Sequence, residues 1–420
     1  MKVLKSVFIA TCALFNSRDG DTSVHNSPAW PLINYFHQRC DSMVAVKLPL
    51  PCNPFFHSPV AVRYVNGRLT DSRKLPAVLS FPFAIDDNEI RRDKTYLRLK
   101  LRDILAIFWF VLFWRGKYEL FIGVESVAAI IGGILKKMGL VNKTVYYISD
   151  WSPVRYKNPV LNWLYIKTDL LACRWSDFIW NYTYTISEAR RDILQFDMDK
   201  IGKELWVPFG FIPDGVTLPD EKDIDRRRMV FCGGLGPENG VDLIIESLPL
   251  VKEQIPDIKI DIFGSGSEGE NLKRGAEDLD VTDCITWHGY VSDRKEILSH
   301  YLRASISLAP YAPLENSVKK YGDVMKIRDS IGCGLPVITT TVPPSHKEVQ
   351  EKMLGEVIDF TSQALSAAII RLLTNDEYYF AMRRRVIAAS KEGLWENIYG
   401  RTLDAMGYDT SVIYSKGDEH

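Results

Sequence analysis

The sequence predicts an α/β protein made of two doubly wound, Rossmann-like domains. Three observations carry that expectation. Short apolar runs alternate with amphipathic stretches along the chain. The same alternation occurs in both halves, and 420 residues suit two domains better than one. Glycine clusters follow two of the apolar runs in the second half, where a doubly wound sheet presents its ligand loops.

Taken in order, the first half offers strands at Ser6–Ala10, Met43–Val46, Leu120–Val124, Thr144–Ile148 and Asp177–Trp180. Helical patterns lie between them at Pro31–Arg39, Tyr96–Trp114, Val127–Met138 and Leu161–Arg174. Buried strands alternating with helices imply parallel sheets covered on both faces. In the second half, strands are expected at Met229–Cys232, Ile258–Ile262, Ile285–Trp287, Ala304–Leu308, Pro336–Thr339 and Glu356–Ile358. The matching helices are Val241–Ile255, Glu268–Leu279, Arg294–Arg303, Met325–Cys333 and Ser362–Leu373. The stretch from Pro208 to Gly215, with the charged run to Arg228, reads as the linker. The expected division is 1–205, 206–385 and a terminal helical segment at 386–410. In such sheets ligands bind beyond the carboxyl ends of the strands, so two domains facing across a cleft suit an enzyme that joins two molecules.

Composition narrows the function. Hydrophobic residues make up 46% and charged residues 25%, a globular balance that argues against disorder. Fifty-two Lys and Arg against 53 Asp and Glu give no reason to expect nucleic acid as a partner. Seven scattered cysteines without metal-ligand spacing read as reduced thiols of a cytoplasmic protein, and no metal site is expected. Lys2 and Lys5 before the apolar run Val7 to Phe15 mimic a signal peptide, but no small-residue cleavage pattern follows. That run reads as a first strand entering a polar loop that contains Gly20. The longest wholly apolar run, Ile104 to Trp114, falls short of the roughly 20 residues that span a bilayer. It follows Arg91, Arg92, Lys94, Arg98, Lys100 and Arg102, so residues 91–114 suit either a core helix or a peripheral contact with an anionic membrane face.

Four segments carry chemistry. Phe231-Cys232-Gly233-Gly234-Leu235-Gly236 runs from a strand into glycines and then a helix, a geometry that offers backbone amides to phosphate. Ile262-Phe263-Gly264-Ser265-Gly266 repeats the pattern. Trp287-His288-Gly289-Tyr290 follows another strand and can lie along a nucleobase, although a lone His288 is more often structural. In Met325-Lys326-Ile327-Arg328-Asp329, Lys326 and Asp329 share a helix face, where a cation meets phosphate and a carboxylate accepts from sugar hydroxyls. In the first half, Tyr147-Ile148-Ser149-Asp150-Trp151 ends a strand, and His25 sits in the loop after the first strand.

These motifs in this order resemble glycosyltransferase family 4 and its GT-B relatives. Asp329 to Val337 follows the family's second acidic motif, with Asp for the usual Glu, and Lys326 stands where many relatives carry Lys. Val207-Pro208-Phe209-Gly210 resembles the family's crossover between domains, and Trp395 lies in a helix that in such enzymes returns to the first domain. The resemblance implies a retaining transfer of a sugar from a nucleoside-diphosphate sugar to a glycan or lipid-linked acceptor in surface polysaccharide synthesis. It implies donor contacts from Gly233, Gly234, Gly236, Gly264, Gly266, His288, Gly289, Tyr290, Lys326 and Asp329, with Asp150, Lys326 and Asp329 catalytic. Gly20, His25 and Asp150 fall on the acceptor side, and no cofactor beyond the sugar donor is implied. The chain departs from the pattern where the family's first acid is replaced by Tyr321, and where its diphosphate-gripping Arg and Lys are replaced by Gly234 and Asn239. Lys319, Lys320 and Lys326 are the cations nearest in sequence to compensate. A non-catalytic scaffold would account for the missing cations, and a GT-B nucleotide-sugar 2-epimerase shares the architecture. A dehydrogenase is disfavoured because no Gly-x-Gly-x-x-Gly follows the first strand.

Overall fold

The computed structural model describes residues 4–13, 28–50, 58–80, 93–148, 150–211, 216–315 and 317–410. Gly20 and His25 lie outside them. The chain divides into two compact units, Met1–Val207 with Tyr399–His420, and Pro208–Ile398.

In the first unit the elements run β1 Leu4–Ala13, α1 Ala29–His37, β2 Cys40–Pro49, β3 Val60–Val65, β4 Arg68–Lys74, α2 Ala77–Ser80 and α3 Asp93–Trp114. They continue with β5 Tyr118–Val124, α4 Ser126–Lys137, β6 Val141–Tyr147, α5 Pro159–Trp175, β7 Phe178–Asn181, α6 Tyr184–Asp192 and β8 Lys203–Trp206. The eight strands order as β4-β3-β2-β1-β5-β6-β7-β8. Six of them pair in parallel, as the alternation predicts, but β3 runs antiparallel to β2 and β4 antiparallel to β3. The sheet is therefore mixed, which corrects the all-parallel expectation. The cause is a hairpin at Asn66-Gly67, whose φ values of 52° and 79° suit a two-residue turn with left-handed central residues. Outer strand β4 reads Arg-Leu-Thr-Asp-Ser-Arg-Lys, and charges along an edge discourage pairing with another chain.

Helix α3 is neither wholly core nor wholly surface. Ala106, Ile107, Phe110 and Val111 pack with Phe8, Val44 and Phe121 in one apolar cluster. Leu101, Trp109, Leu112 and Phe113, on the other side of the helix, remain exposed. Arg102, from the basic approach, is buried; it donates to the Pro49 carbonyl at 2.9 Å and to Asp103 at 2.7 Å.

The second unit holds β9 Arg228–Cys232, α7 Val241–Gln254, β10 Lys259–Phe263, α8 Gly269–Asp278, β11 Ile285–Gly289 and α9 Arg294–Arg303. There follow β12 Ile306–Ala309, α10 Met325–Gly332, β13 Val337–Thr340, α11 His346–Glu351, β14 Gly355–Ile358, α12 Ser362–Thr374 and α13 Asp376–Glu392. Its six strands order as β11-β10-β9-β12-β13-β14, and every pairing is parallel. Each expected strand of this half appears within two residues of its predicted start; β9, β10, β12 and β13 are apolar runs buried over most of their length, while edge strands β11 and β14 are only partly covered. The final helix, α14 Trp395–Ala405, begins in this unit, where the Trp395 ring lies tilted against Phe209 with centroids 6.1 Å apart. Its later residue Tyr399 belongs to the first unit and packs on Tyr35 at 5.3 Å and Trp180 at 6.0 Å.

Candidate donor site

The carboxyl ends of β9, β10 and β11 are tied together by main chain. Gly233 N–H donates to the Phe263 carbonyl at 2.9 Å, Leu235 N–H to Ser265 at 3.0 Å, and Gly264 N–H to the Gly289 carbonyl at 2.7 Å. This crossing leaves no room for side chains. A Cβ at Gly264, whose φ is +137°, would meet the Gly233 oxygen at 1.9 Å, and one at Gly266 would meet the Leu235 oxygen at 2.3 Å. The glycines are thus required to bring these loops into contact, while Gly236 faces open space. Tyr290, just beyond β11, is 77% exposed.

Lys326 rises from the first turn of α10 into this region. It packs so closely on Gly233 that a Cβ there would lie 2.3 Å from its Cε. Its Nζ donates to Asn239 Oδ1 at 3.0 Å and sits 4.1 Å from the Phe231 ring centroid and 4.6 Å from that of Tyr311. Among the described residues no carboxylate pairs with it. Burial, reinforced by the charge of Lys319, therefore pushes its pKa down to about 7. Asn239, where the family pattern carries a cation, instead accepts from one that arrives on another helix. Of the other compensating lysines, Lys319 lies 3.6 Å from Glu238, and Lys320 donates to the Glu315 carbonyl at 2.7 Å.

Asp329, one turn along α10, is held by Arg294 in a two-pronged pair of 2.7 and 3.2 Å. Nothing in its local sequence singles out Arg294. It opens α9, directly after the β11 loop, and its guanidinium lies over the Phe211 ring. Burial works against its charge, but Asp329 outweighs burial and keeps the group above its ordinary pKa. Lys326, Asp329 and Arg294 all act on the thiol of Cys232, the last residue of β9; burial and Asp329 carry that thiol up to about 11 against the two cations. The three charged groups therefore converge where β9 ends.

His288 has a structural anchor. Its Nε2 lies 2.9 Å from Asp261 Oδ1, its ring stacks on Phe263 at 4.1 Å, and His300 Nδ1 lies 3.1 Å from the other Asp261 oxygen. Arg228 donates to the same carboxylate at 2.9 Å. Burial opposes ionisation of Asp261, yet the bonds from His288, His300 and Arg228 hold it below the usual carboxylate range. Asp261, His288 and His300 bring three residues of metal-ligating type together, a grouping that sequence spacing could not reveal.

In the first unit, Asp150 follows β6 and pairs with Arg155 at 2.6 Å, its side chain about half exposed. Nearby Asp169, wholly buried, accepts from Arg190 at 2.6 and 2.9 Å and from Tyr146 at 2.7 Å. That cluster is packing, in keeping with its complete enclosure.

Residues 219–392 match the family described as glycosyl transferases group 1. Among curated relatives, a GDP-mannose-dependent alpha-(1-6)-phosphatidylinositol monomannoside mannosyltransferase of Mycolicibacterium smegmatis is 26% identical over 159 residues, covering 38% of this chain and 41% of the relative. The Mycobacterium tuberculosis protein of that description is 24% identical over 194 residues, covering 45% and 49%. The matched stretch thus spans less than half the length of these relatives. Among solved structures, sucrose-phosphate synthase from Thermosynechococcus elongatus superposes with a TM-score of 0.61 at 13% identity, covering 98% of this chain and 100% of that one. Anabaena Alr3699/HepE in complex with UDP gives 0.60 at 13%, covering 96% and 100%. The chain therefore has the GT-B fold, its second unit matches the group 1 glycosyl transferases, and it resembles glycosyltransferase family 4.

Proposed function

We propose that the chain transfers a sugar from a nucleoside-diphosphate sugar to a glycan or lipid-linked acceptor, with retention of anomeric configuration. The observation that carries the donor half is the meeting of three glycine-opened strand ends with the buried amine of Lys326. When the glycosidic bond to the diphosphate breaks, negative charge grows on the leaving oxygen. A cation and main-chain amides fixed in advance stabilise that charge without reorganising. Within the Gly233–Gly236 loop the Gly233 and Leu235 N–H groups are spent on Phe263 and Ser265, so Lys326 and the Gly234 and Gly236 amides supply them, the Gly289–Tyr290 loop lies along the base, and Asp150 orients the acceptor hydroxyl. Retention is what the family resemblance implies.

A lipid-linked acceptor is supported by two things. The mycobacterial relatives are described as acting on phosphatidylinositol mannosides. Helix α3 exposes Leu101, Trp109, Leu112 and Phe113, with Arg98 on the same helix and Arg73 beside the Phe113 ring. No described helix is long and apolar enough to cross a membrane. A peripheral contact through that stripe would bring the protein to an anionic surface. The test is release of nucleoside diphosphate from a panel of UDP- and GDP-sugars, with and without lipid extract. Turnover of one donor, lost in Lys326→Ala, is expected. Binding without turnover of any donor would favour a non-catalytic scaffold.

A further inference from the structure

We propose that Arg294 is a donor-phosphate ligand, held in reserve by Asp329 until the nucleotide arrives. The inference rests on the donor site proposed above and adds to it a residue outside the family pattern. The positions where that pattern carries phosphate-gripping cations are Gly234 and Asn239, so a bound diphosphate needs other donors. Lys326 supplies one. A guanidinium is the better chemical match, because its fork of five N–H groups can bond two phosphate oxygens at once.

Arg294 meets the positional requirement. It stands at the start of α9, five residues after Gly289, and its bonds to Asp329 bring it to α10, three residues along from Lys326, whose Cε packs against Gly233 just after β9. Two of its N–H groups are spent on Asp329, at 2.7 and 3.2 Å. The remaining donors have no partner among the described residues, although the side chain is only 15% exposed. None of its nitrogens is both sealed from solvent and unbonded, so the spare donors stay open to an incoming acceptor. Its present partner is itself the acid suited to ribose hydroxyls. A nucleoside diphosphate brings both complements, hydroxyls for Asp329 and phosphate oxygens for Arg294. Each half of the ion pair then exchanges its partner for a matching group of the ligand, and no buried charge is left alone during the exchange.

The experiment is isothermal titration of the full chain with UDP, GDP, uridine and guanosine, for wild type, Arg294→Met, Arg294→Lys and Asp329→Asn. Wild type should bind one diphosphate. Arg294→Met should weaken that diphosphate by about tenfold or more, as for a lost charge-assisted bond, and leave the matching nucleoside unchanged. Arg294→Lys should fall between the two. Asp329→Asn should weaken the nucleoside and diphosphate alike, through the ribose, and it confirms that the site survives loss of the ion pair. Equal affinity of Arg294→Met and wild type for the diphosphate overturns the inference while leaving the donor site intact. So does tighter binding of both ligands, which would make Arg294 a plug. A wild type that binds no diphosphate overturns the donor site itself.

Discussion

Replacing Lys326 by Met should make the second unit more stable at neutral pH while weakening its hold on nucleotide. The amine is moved from an ordinary 10.5 to about 7, chiefly by burial. In linkage terms that shift corresponds to on the order of 4–5 kcal/mol. The sign follows from proton counts. Between pH 7 and 10.5 the unfolded chain keeps the proton that the folded chain has lost, so stability rises with pH through that window. Below pH 7 both states are charged and the penalty is complete; above 10.5 it vanishes. The Phe231 and Tyr311 rings, at 4.1 and 4.6 Å, return part of the cost as cation–π attraction, about 0.5–2 kcal/mol. Met would also leave Asn239 Oδ1 without its donor, at about 1–3 kcal/mol. The net expectation for Lys326→Met is about 1–2 kcal/mol of added stability at pH 7, declining toward zero or below by pH 9.5. Urea unfolding of both proteins at pH 7, 8 and 9.5 measures it. The same proton makes nucleotide binding pH-dependent: a diphosphate beside Nζ restores its charge, so binding takes up a proton. Wild-type affinity should fall about tenfold per pH unit above 7, and Lys326→Met should lose that slope. Identical pH dependence of stability and affinity in the two proteins would refute the reasoning.

Gly264→Ala should abolish nucleotide binding and lower stability, because its Cβ would meet the Gly233 oxygen at 1.9 Å from a left-handed backbone; melting curves with and without nucleoside diphosphate read both effects. Asp169→Ala should cost about 3 kcal/mol in denaturant unfolding, since it removes the two-pronged partner of the wholly buried Arg190 and leaves only Glu204 at 3.5 Å and Asn181 at 3.1 Å. Trp109→Ser with Phe113→Ser should reduce sedimentation with anionic vesicles several-fold at low salt, without altering turnover of a soluble acceptor; equal sedimentation would exclude α3 as the contact.

The second unit was more legible than the first. Its central strands are short buried apolar runs, and Gly264 and Gly266 mark close main-chain approach, a requirement that sequence expresses directly. Val60–Val65 and Arg68–Lys74 are poorly marked as strands because β4 is polar but for Leu69 and its partner carries Arg63 and Tyr64. The Asn66-Gly67 dipeptide between them was the available signal. At the site, Lys326 was readable from its motif. Arg294 was not, because its meaning comes from meeting Asp329 across 35 residues of chain. The Asp261, His288 and His300 cluster was hidden for the same reason: β10, β11 and α9 each contribute one residue. The residues around His288 suggest a base contact, and a lone histidine there also reads as structural; its tie to Asp261 supplies the anchoring partner.

The central claim is that nucleoside diphosphate binds where β9, β10 and β11 end, against α10. Hydrogen–deuterium exchange of the full chain with and without UDP or GDP tests it most directly. The account predicts that one nucleotide slows exchange in the peptides that hold Gly233–Gly236, Gly264–Gly266, Gly289–Tyr290 and Lys326–Asp329 together. Protection of none of these four segments, or protection confined to the first unit, would contradict it.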